Sequence, residues 1–402
     1  MKEAPAYTKQ GNKTAILGAA FLMATSAIGP GFLVQTTRFT SQLLTSFGFV
    51  ILISLLLDIG AQVNIWRIIT VSDNRAQDVA NKLLPGLGVA LACLIGFGGL
   101  VFNIGNIAGC GLGLQALTGA DPKWGAAISC VVALGIFWYK DAGLLIDRLV
   151  KVLGLLMIGF TLYVAAVSAP PITLALQHTI WPEKIDLLTI ITLVGGTVGG
   201  YISFAGAHRL LDAGIRGRAA LPEVTRSAVS GILITTVMRY LLFLAVLGVV
   251  WSGVVLDEKN PAASVFQAAA GNTGMRFFGL VMWCAALTSV IGASYTSLSF
   301  FKTLHPYINR HLRSFITLFI CISTVFFLVI GNPVKLLLMA GAVNGMILPL
   351  ALSLILVAAS KQRIIGDYRH PRWMYVAGWL VVAVMTWMSI TTWIQNGSQL
   401  LR

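Results

Sequence analysis

The groups that could do chemistry in this chain lie inside long apolar runs. Gly29-Pro30-Gly31 interrupts the run from Ile16 to Arg38, and Phe32 follows directly. A proline removes a backbone donor and clashes with the preceding turn, and flanking glycines ease unwinding. A second run is interrupted by Gly195-Gly196-Thr197-Val198-Gly199-Gly200, followed by Tyr201. Unwound helices expose N–H groups whose partial positive charge suits an anion, commonly a carboxylate. Glycines let such a backbone approach a ligand closely. Phe32 and Tyr201 offer faces for an apolar or ring-shaped body, and the carboxamides of Asn103 and Asn106 can donate and accept. Near the two breaks there is no carboxylate, imidazole or thioether, the groups that hold Mn²⁺ or Fe²⁺. Mg²⁺ also leans on one or two carboxylates. The inventory suits a small organic acid or amino-acid derivative better than a naked cation.

Other polar residues in apolar surroundings are functional candidates by default, because a charge in a bilayer is costly. Asp58 and Arg239 are two of these, and they could equally pair with each other. His208-Arg209 and Asp212 share a helix face, where a structural ion-pair network is the expectation. Cys93, Cys110, Cys130, Cys284 and Cys321 all fall in apolar stretches without metal-ligand spacing, and read as free, buried small residues.

The elements that must position these groups are membrane spans. Of 402 residues, 57% are hydrophobic and only 10% charged, far below the charge of a soluble domain. At about 20 residues per crossing, eleven spans are predicted: 15–37, 43–68, 87–118, 124–140, 148–169, 187–215, 227–252, 274–299, 313–331, 333–359 and 373–395. No loop is long enough for a second domain. With the N-terminus inside, 20 of the 28 Lys and Arg residues fall in cytoplasmic segments and 6 outside. The positive-inside rule thus accounts for the net charge of +14, and nucleic acid is not implied. The C-terminus then lies outside. The N-terminal stretch is too polar for a cleaved signal peptide. Two interrupted spans at corresponding places in two halves are the sequence pointer to a secondary transporter's binding site.

The segment "LGAAFLMATSAIGPGF" resembles the first helix of the NRAMP divalent-metal transporters up to their Asp-Pro-Gly-Asn motif. "NIGNIAGCGLGL", "VGGTVGG" and "AVNGMILPLAL" are similar to the third, sixth and tenth helices of that family. The resemblance implies an all-α, LeuT-type fold of five plus five inverted helices in one domain spanning 1–402. Repeat one covers about 15–169 and repeat two about 187–359, with an extra helix at 373–395. It also shows departures. Where the family has the Asp and Asn of its first motif and a sixth-helix Met, this chain has Gly29, Phe32 and Gly199. A carbonyl-donating Ala becomes Gly196, a His becomes Tyr201, and the acidic pair of the third helix becomes Asn103 and Asn106. A Gln of the tenth helix becomes Gly341. Leu287-Thr288-Ser289 is similar to the hydroxyl pair that completes a Na⁺ site in sodium-coupled members of the LeuT-type fold. Na⁺ is therefore the one coupling ion implied, through Thr288 and Ser289, although small hydroxyl residues also serve helix packing.

These features predict a secondary active transporter, in a bacterial inner membrane, carrying a small solute by alternating access. Gly29, Pro30, Gly31, Phe32, Gly196, Gly199, Gly200, Tyr201, Asn103 and Asn106 form its expected substrate site. The alternatives are a divalent-cation carrier with an atypical hydrated site and, in another class, a transport-dead sensor or partner subunit. No nucleotide-binding motif suggests an enzyme or a primary pump. The expected partners are the lipid bilayer and a small-molecule substrate.

Overall fold

The computed structural model describes residues 29–400, with side chains except at 140–151 and 396–400. The first half of the first predicted span, up to Ile28, lies outside the described residues. Among those described, every regular element is helical. In chain order they are α1 (Pro30–Leu43), α2 (Phe47–Ser72), α3 (Ala76–Leu83), α4 (Leu87–Thr118), α5 (Pro122–Trp138), α6 (Lys140–Val167) and α7 (Ile172–Ile180). There follow α8 (Leu187–Thr197), α9 (Ile202–Asp212), α10 (Leu221–Trp251), α11 (Pro261–Ser299), α12 (Pro306–Arg310), α13 (Leu312–Ile330), α14 (Pro333–Ala359), α15 (Gln362–Ile365) and α16 (Arg372–Leu400). Lipid offers the backbone no hydrogen-bond partner, so apolar segments satisfy their N–H and C=O groups within helices.

Eight helices among the described residues are long and apolar enough to cross a bilayer, or nine when the bent α6–α7 pair counts as one span. The remaining two of the eleven predicted spans are the first, described only from Gly29, and α5, a shorter apolar helix. Burial sorts these helices into layers. In the span made by α8 and α9, 89% of the apolar window is buried, against 28% in α13 and in α16. A helix apolar all round is stable only when surrounded, so α8 and α9 lie in the middle of the bundle. Leu155, Val329, Trp373 and Ile394 face outward, as a lipid-contacting belt requires.

Several elements depart from the sequence prediction. Hydropathy places α3, α7, α12 and α15 in loops, because each is shorter than a span. α11 begins at Pro261 instead of 274, because the Asn260 side chain accepts from Ala263 N–H and Pro261 opens the first turn. It then kinks at Ala270 and Gly271, where Gly271 adopts φ +63°, a conformation that costs glycine nothing. The cysteines are free as expected, but Cys93 is exposed at the surface.

Candidate functional site

The second predicted interruption lies wholly within the described residues; of the first, they show only that a helix starts at Pro30, and the two places differ in polarity. Gly29 caps the start of α1 with extended backbone and no side-chain cap, and Pro30 occupies the first helical position. Leu33 N–H returns to Gly29 O at 3.3 Å, which leaves the N–H groups of Gly31 and Phe32 at an uncapped helix N-terminus. The second interruption separates α8, ending at Thr197, from α9, starting at Ile202. Gly199 N–H reaches back to Val194 O at 3.0 Å, and Gly200 N–H donates to Asn344 O of α14 at 2.8 Å.

A narrow cleft lies between them, lined by Gly29, Gly31, Phe32, Phe102, Asn106 and Gly196, with Gln35, Leu337, Ala340 and Gly341 completing it. The α1 end that borders this space is an N-terminus. Gly196, in contrast, lies in the last turn of α8, where carbonyls carry the partial charge. The helix dipoles therefore present positive character on one side and negative character on the other. The sequence predicts N–H groups from both breaks; the direction of α8 gives the cleft two electrically different ends.

Five of the ten predicted substrate residues line this cleft. Pro30 instead packs on α4, where a Cβ built on Gly109 would lie 2.2 Å from Pro30 Cβ. Gly199 and Gly200 face α14: a Cβ on Gly199 would meet Asn344 Cβ at 2.8 Å, and one on Gly200 would meet Ile347 Cγ2 at 2.1 Å. Tyr201 donates its hydroxyl to Ala293 O at 3.0 Å and holds its ring 5.6 Å from Phe102, a lining residue. Asn103 is turned away, donating to Ser294 Oγ and Ser323 Oγ at 3.2 and 3.0 Å. It joins α4, α11 and α13. Thr288 bonds to the carbonyls of Cys284 and Ala285 in its own helix, and Ser289 is half-buried. The resemblance would complete a Na⁺ site with carbonyls of the first helix, whose residues before Gly29 lie outside the described residues.

Sequence reasoning missed Gln35. It is 1% exposed, one turn past the break, and its Nε2 donates to Leu337 O at 3.1 Å. Among the described residues, neither its Oε1 nor the Nδ2 of Asn106, both buried, has a partner. A Gln six residues after the start of a Gly-Pro-Gly motif carries no spacing signal, because which face it occupies depends on how α14 docks.

The charged candidates form a second layer. The Arg239 guanidinium is 2% exposed and lies 4.7 Å from the Phe32 ring centroid. Its Nη1 donates to Thr197 Oγ1 at 2.8 Å, so one side chain touches both interruptions. Its Nε and Nη2, and Oδ1 of Asp58, are buried without partners. The two residues interact electrostatically without closing to an ion pair. Near the C-terminal end of α9, Asp212 pairs with Arg75, and Arg216 with Asp73 at 3.1 Å. His208 stands outside that network: its Nε2 accepts from Ala76 N–H at 3.1 Å and its ring packs on Phe300.

This architecture has relatives. The profile of the Natural resistance-associated macrophage protein-like family matches residues 20–395. The chain belongs to the NRAMP family. It is 59% identical over 384 residues to the uncharacterized membrane protein YcsG of Bacillus subtilis, covering 96% of this chain and 95% of that one. A manganese transporter from Eremococcus coleocola superimposes with a TM-score of 0.73 at 16% identity, over 97% of this chain and 88% of the other. MhsT in complex with L-phenylalanine gives 0.60 at 15% identity, over 94% and 97%. The fold is thus the LeuT type, and the chain is a membrane transporter of this family. Set against the NRAMP pattern, two of the three substituted ligand positions, Gly29 and Phe32, border the cleft. The third, Gly199, is used for packing.

Proposed function

We propose that this NRAMP-family transporter carries a small organic acid or amino-acid derivative across a bacterial inner membrane by alternating access, with its N-terminus in the cytoplasm. The lining of the cleft carries the proposal. Its polar groups are an uncapped helix N-terminus, the C-terminal turn of α8 and two carboxamides. A carboxylate is served by the N–H groups of Gly31 and Phe32, which belong to an unopposed dipole end. Arg239, held between Phe32 and Thr197, adds fixed positive charge behind the ring. A transition metal would have to exchange its hydration for carbonyl and carboxamide oxygens alone, a hard and neutral set that binds such ions weakly.

Coupling to Na⁺ through Thr288 and Ser289 is the second part of the proposal. A hydroxyl that donates to its own helix keeps lone pairs for an ion, and Na⁺ takes such oxygen ligands. Replacing both with alanine should abolish Na⁺ dependence of uptake in proteoliposomes while leaving the protein folded. Uptake driven by a pH gradient and indifferent to Na⁺ in the parent would refute that part.

The competing reading is a hydrated divalent cation, favoured by the likeness to the manganese transporter. Equilibrium binding of Mn²⁺ and of small carboxylates to the same purified protein separates the two.

A further inference from the structure

Gln35 occupies a position in the cleft that nothing above has given a task. Its amide nitrogen is fixed on Leu337 O, a group that can only accept, so the oxygen must point the other way. There it meets the backbone of Gly196: a Cβ on Gly196 would fall 2.5 Å from Oε1. A Cβ on Gly341 would fall 2.5 Å from Nε2. Two glycines on two other helices thus leave the volume that this one carboxamide fills. Gly341 is the position where the NRAMP pattern expects a Gln, and here the amide over it comes from α1 instead.

A buried acceptor without a donor is costly, and native structures tolerate few of them. Gln35 Oε1 is such an acceptor, fully removed from the protein surface yet on the cleft wall. It sits on the α8 side, where the helix dipole is also negative. The N–H groups of Gly31 and Phe32, which suit a carboxylate, are at the other end. The two ends demand different groups on one small molecule.

We infer that Gln35 is a specificity-determining residue, whose Oε1 accepts a hydrogen bond from an N–H or O–H group carried by the acid. Asn106 Nδ2, the unpartnered donor on the same wall, meets an acceptor of the solute. The substrate class is an acid bearing a second, hydrogen-donating polar group close to its carboxylate, rather than a plain carboxylate. This rests on the proposed function, because it assumes that the cleft takes acids at all.

The test uses matched pairs in which only one member carries a donor group, an ammonium, beside its carboxylate: propionate against L-alanine, and cyclopentanecarboxylate against L-proline. Binding is measured on the purified full-length protein by thermal shift and calorimetry. The parent should bind the donor-bearing member of at least one pair about tenfold more tightly, the span of one hydrogen bond and its unpaired alternative. Gln35→Met, close in shape and lacking the acceptor, should erase that preference while binding of the plain acid stays within about twofold. Equal binding within both pairs by the parent overturns the inference and leaves the acid reading standing, and this comparison requires no variant. A folded Gln35→Met protein that keeps the preference overturns it as well. Failure of all four acids to bind, with Mn²⁺ bound at micromolar concentration, removes the underlying function and this inference together.

Discussion

Gly196 and Gly199 are three residues apart, yet one faces the cleft and the other faces α14. From sequence, a large residue at 199 would be expected to fill a ligand space and leave the fold intact. The structure reverses that expectation, since a Cβ there would sit 2.3 Å from Gly195 O and 2.8 Å from Asn344 Cβ. Gly199→Leu should therefore reduce the yield of monodisperse protein in gel filtration, beyond the usual 1–3 kcal/mol of overpacking. Gly196→Ala should instead stay folded and lose ligand binding, because only a side-chain amide opposes it. A run of glycines announces close approach, but not from which direction. Arg239 gives a second prediction at this scale. Arg239→Met removes the bond to Thr197 and the guanidinium near Asp58, and should destabilise the protein. The double variant with Asp58→Asn should recover much of that loss in thermal unfolding. Additive losses would mean that the two charges are energetically independent.

Among the elements, the pairing of α8 with α14 fixes the second wall of the cleft. A Cβ on Gly195 would lie 1.9 Å from Gly341 O, and one on Gly345 would lie 2.2 Å from Ile191 O. Small residues at such a crossing let two membrane helices reach backbone contact. Gly345→Ala should force them apart and lower the melting temperature by several degrees, with or without ligand. An unchanged melting temperature would show that the helices slide without cost. The start of α1 at Pro30 and the interruption of α8–α9 were legible in the sequence, because proline and clustered glycine act on the backbone locally. The direction of α8 relative to the cleft, and the lining role of Gln35, were not. Both depend on which residues of α14, about 300 positions away from Gln35 in the chain, pack against them.

For the whole molecule, apolar composition and the placement of Lys and Arg make a polytopic membrane protein legible at once, and the NRAMP motifs supply the fold. What the pattern hides is how the layers are tied together. Just before α16, His370 donates Nε2–H to Asn64 Oδ1 at 2.7 Å, and its Nδ1 lies 3.2 Å from the Tyr368 hydroxyl. That hydroxyl already accepts from Arg67 Nε and Nη2. Burial, and secondarily the Arg67 charge, lower the His370 pKa to about 4, from about 6.5 in an unfolded chain. The folded state thus binds fewer protons, so stability is fully present above about pH 6.5 and drains away as pH falls toward 4. Thermal unfolding should show a smaller drop between pH 7 and pH 5 in His370→Gln than in the parent. Parallel curves would place the pH sensitivity elsewhere.

The central claim is that the cleft between the two interrupted helices takes a small acid and not a transition metal. Calorimetric titration of the purified protein with Mn²⁺, run beside L-alanine, L-proline and their donor-free counterparts, addresses it most directly. The account predicts Mn²⁺ binding no tighter than millimolar, and saturable heats from at least one acid that vanish in Gly196→Ala. Micromolar Mn²⁺ affinity, with no heat from any acid, would contradict it.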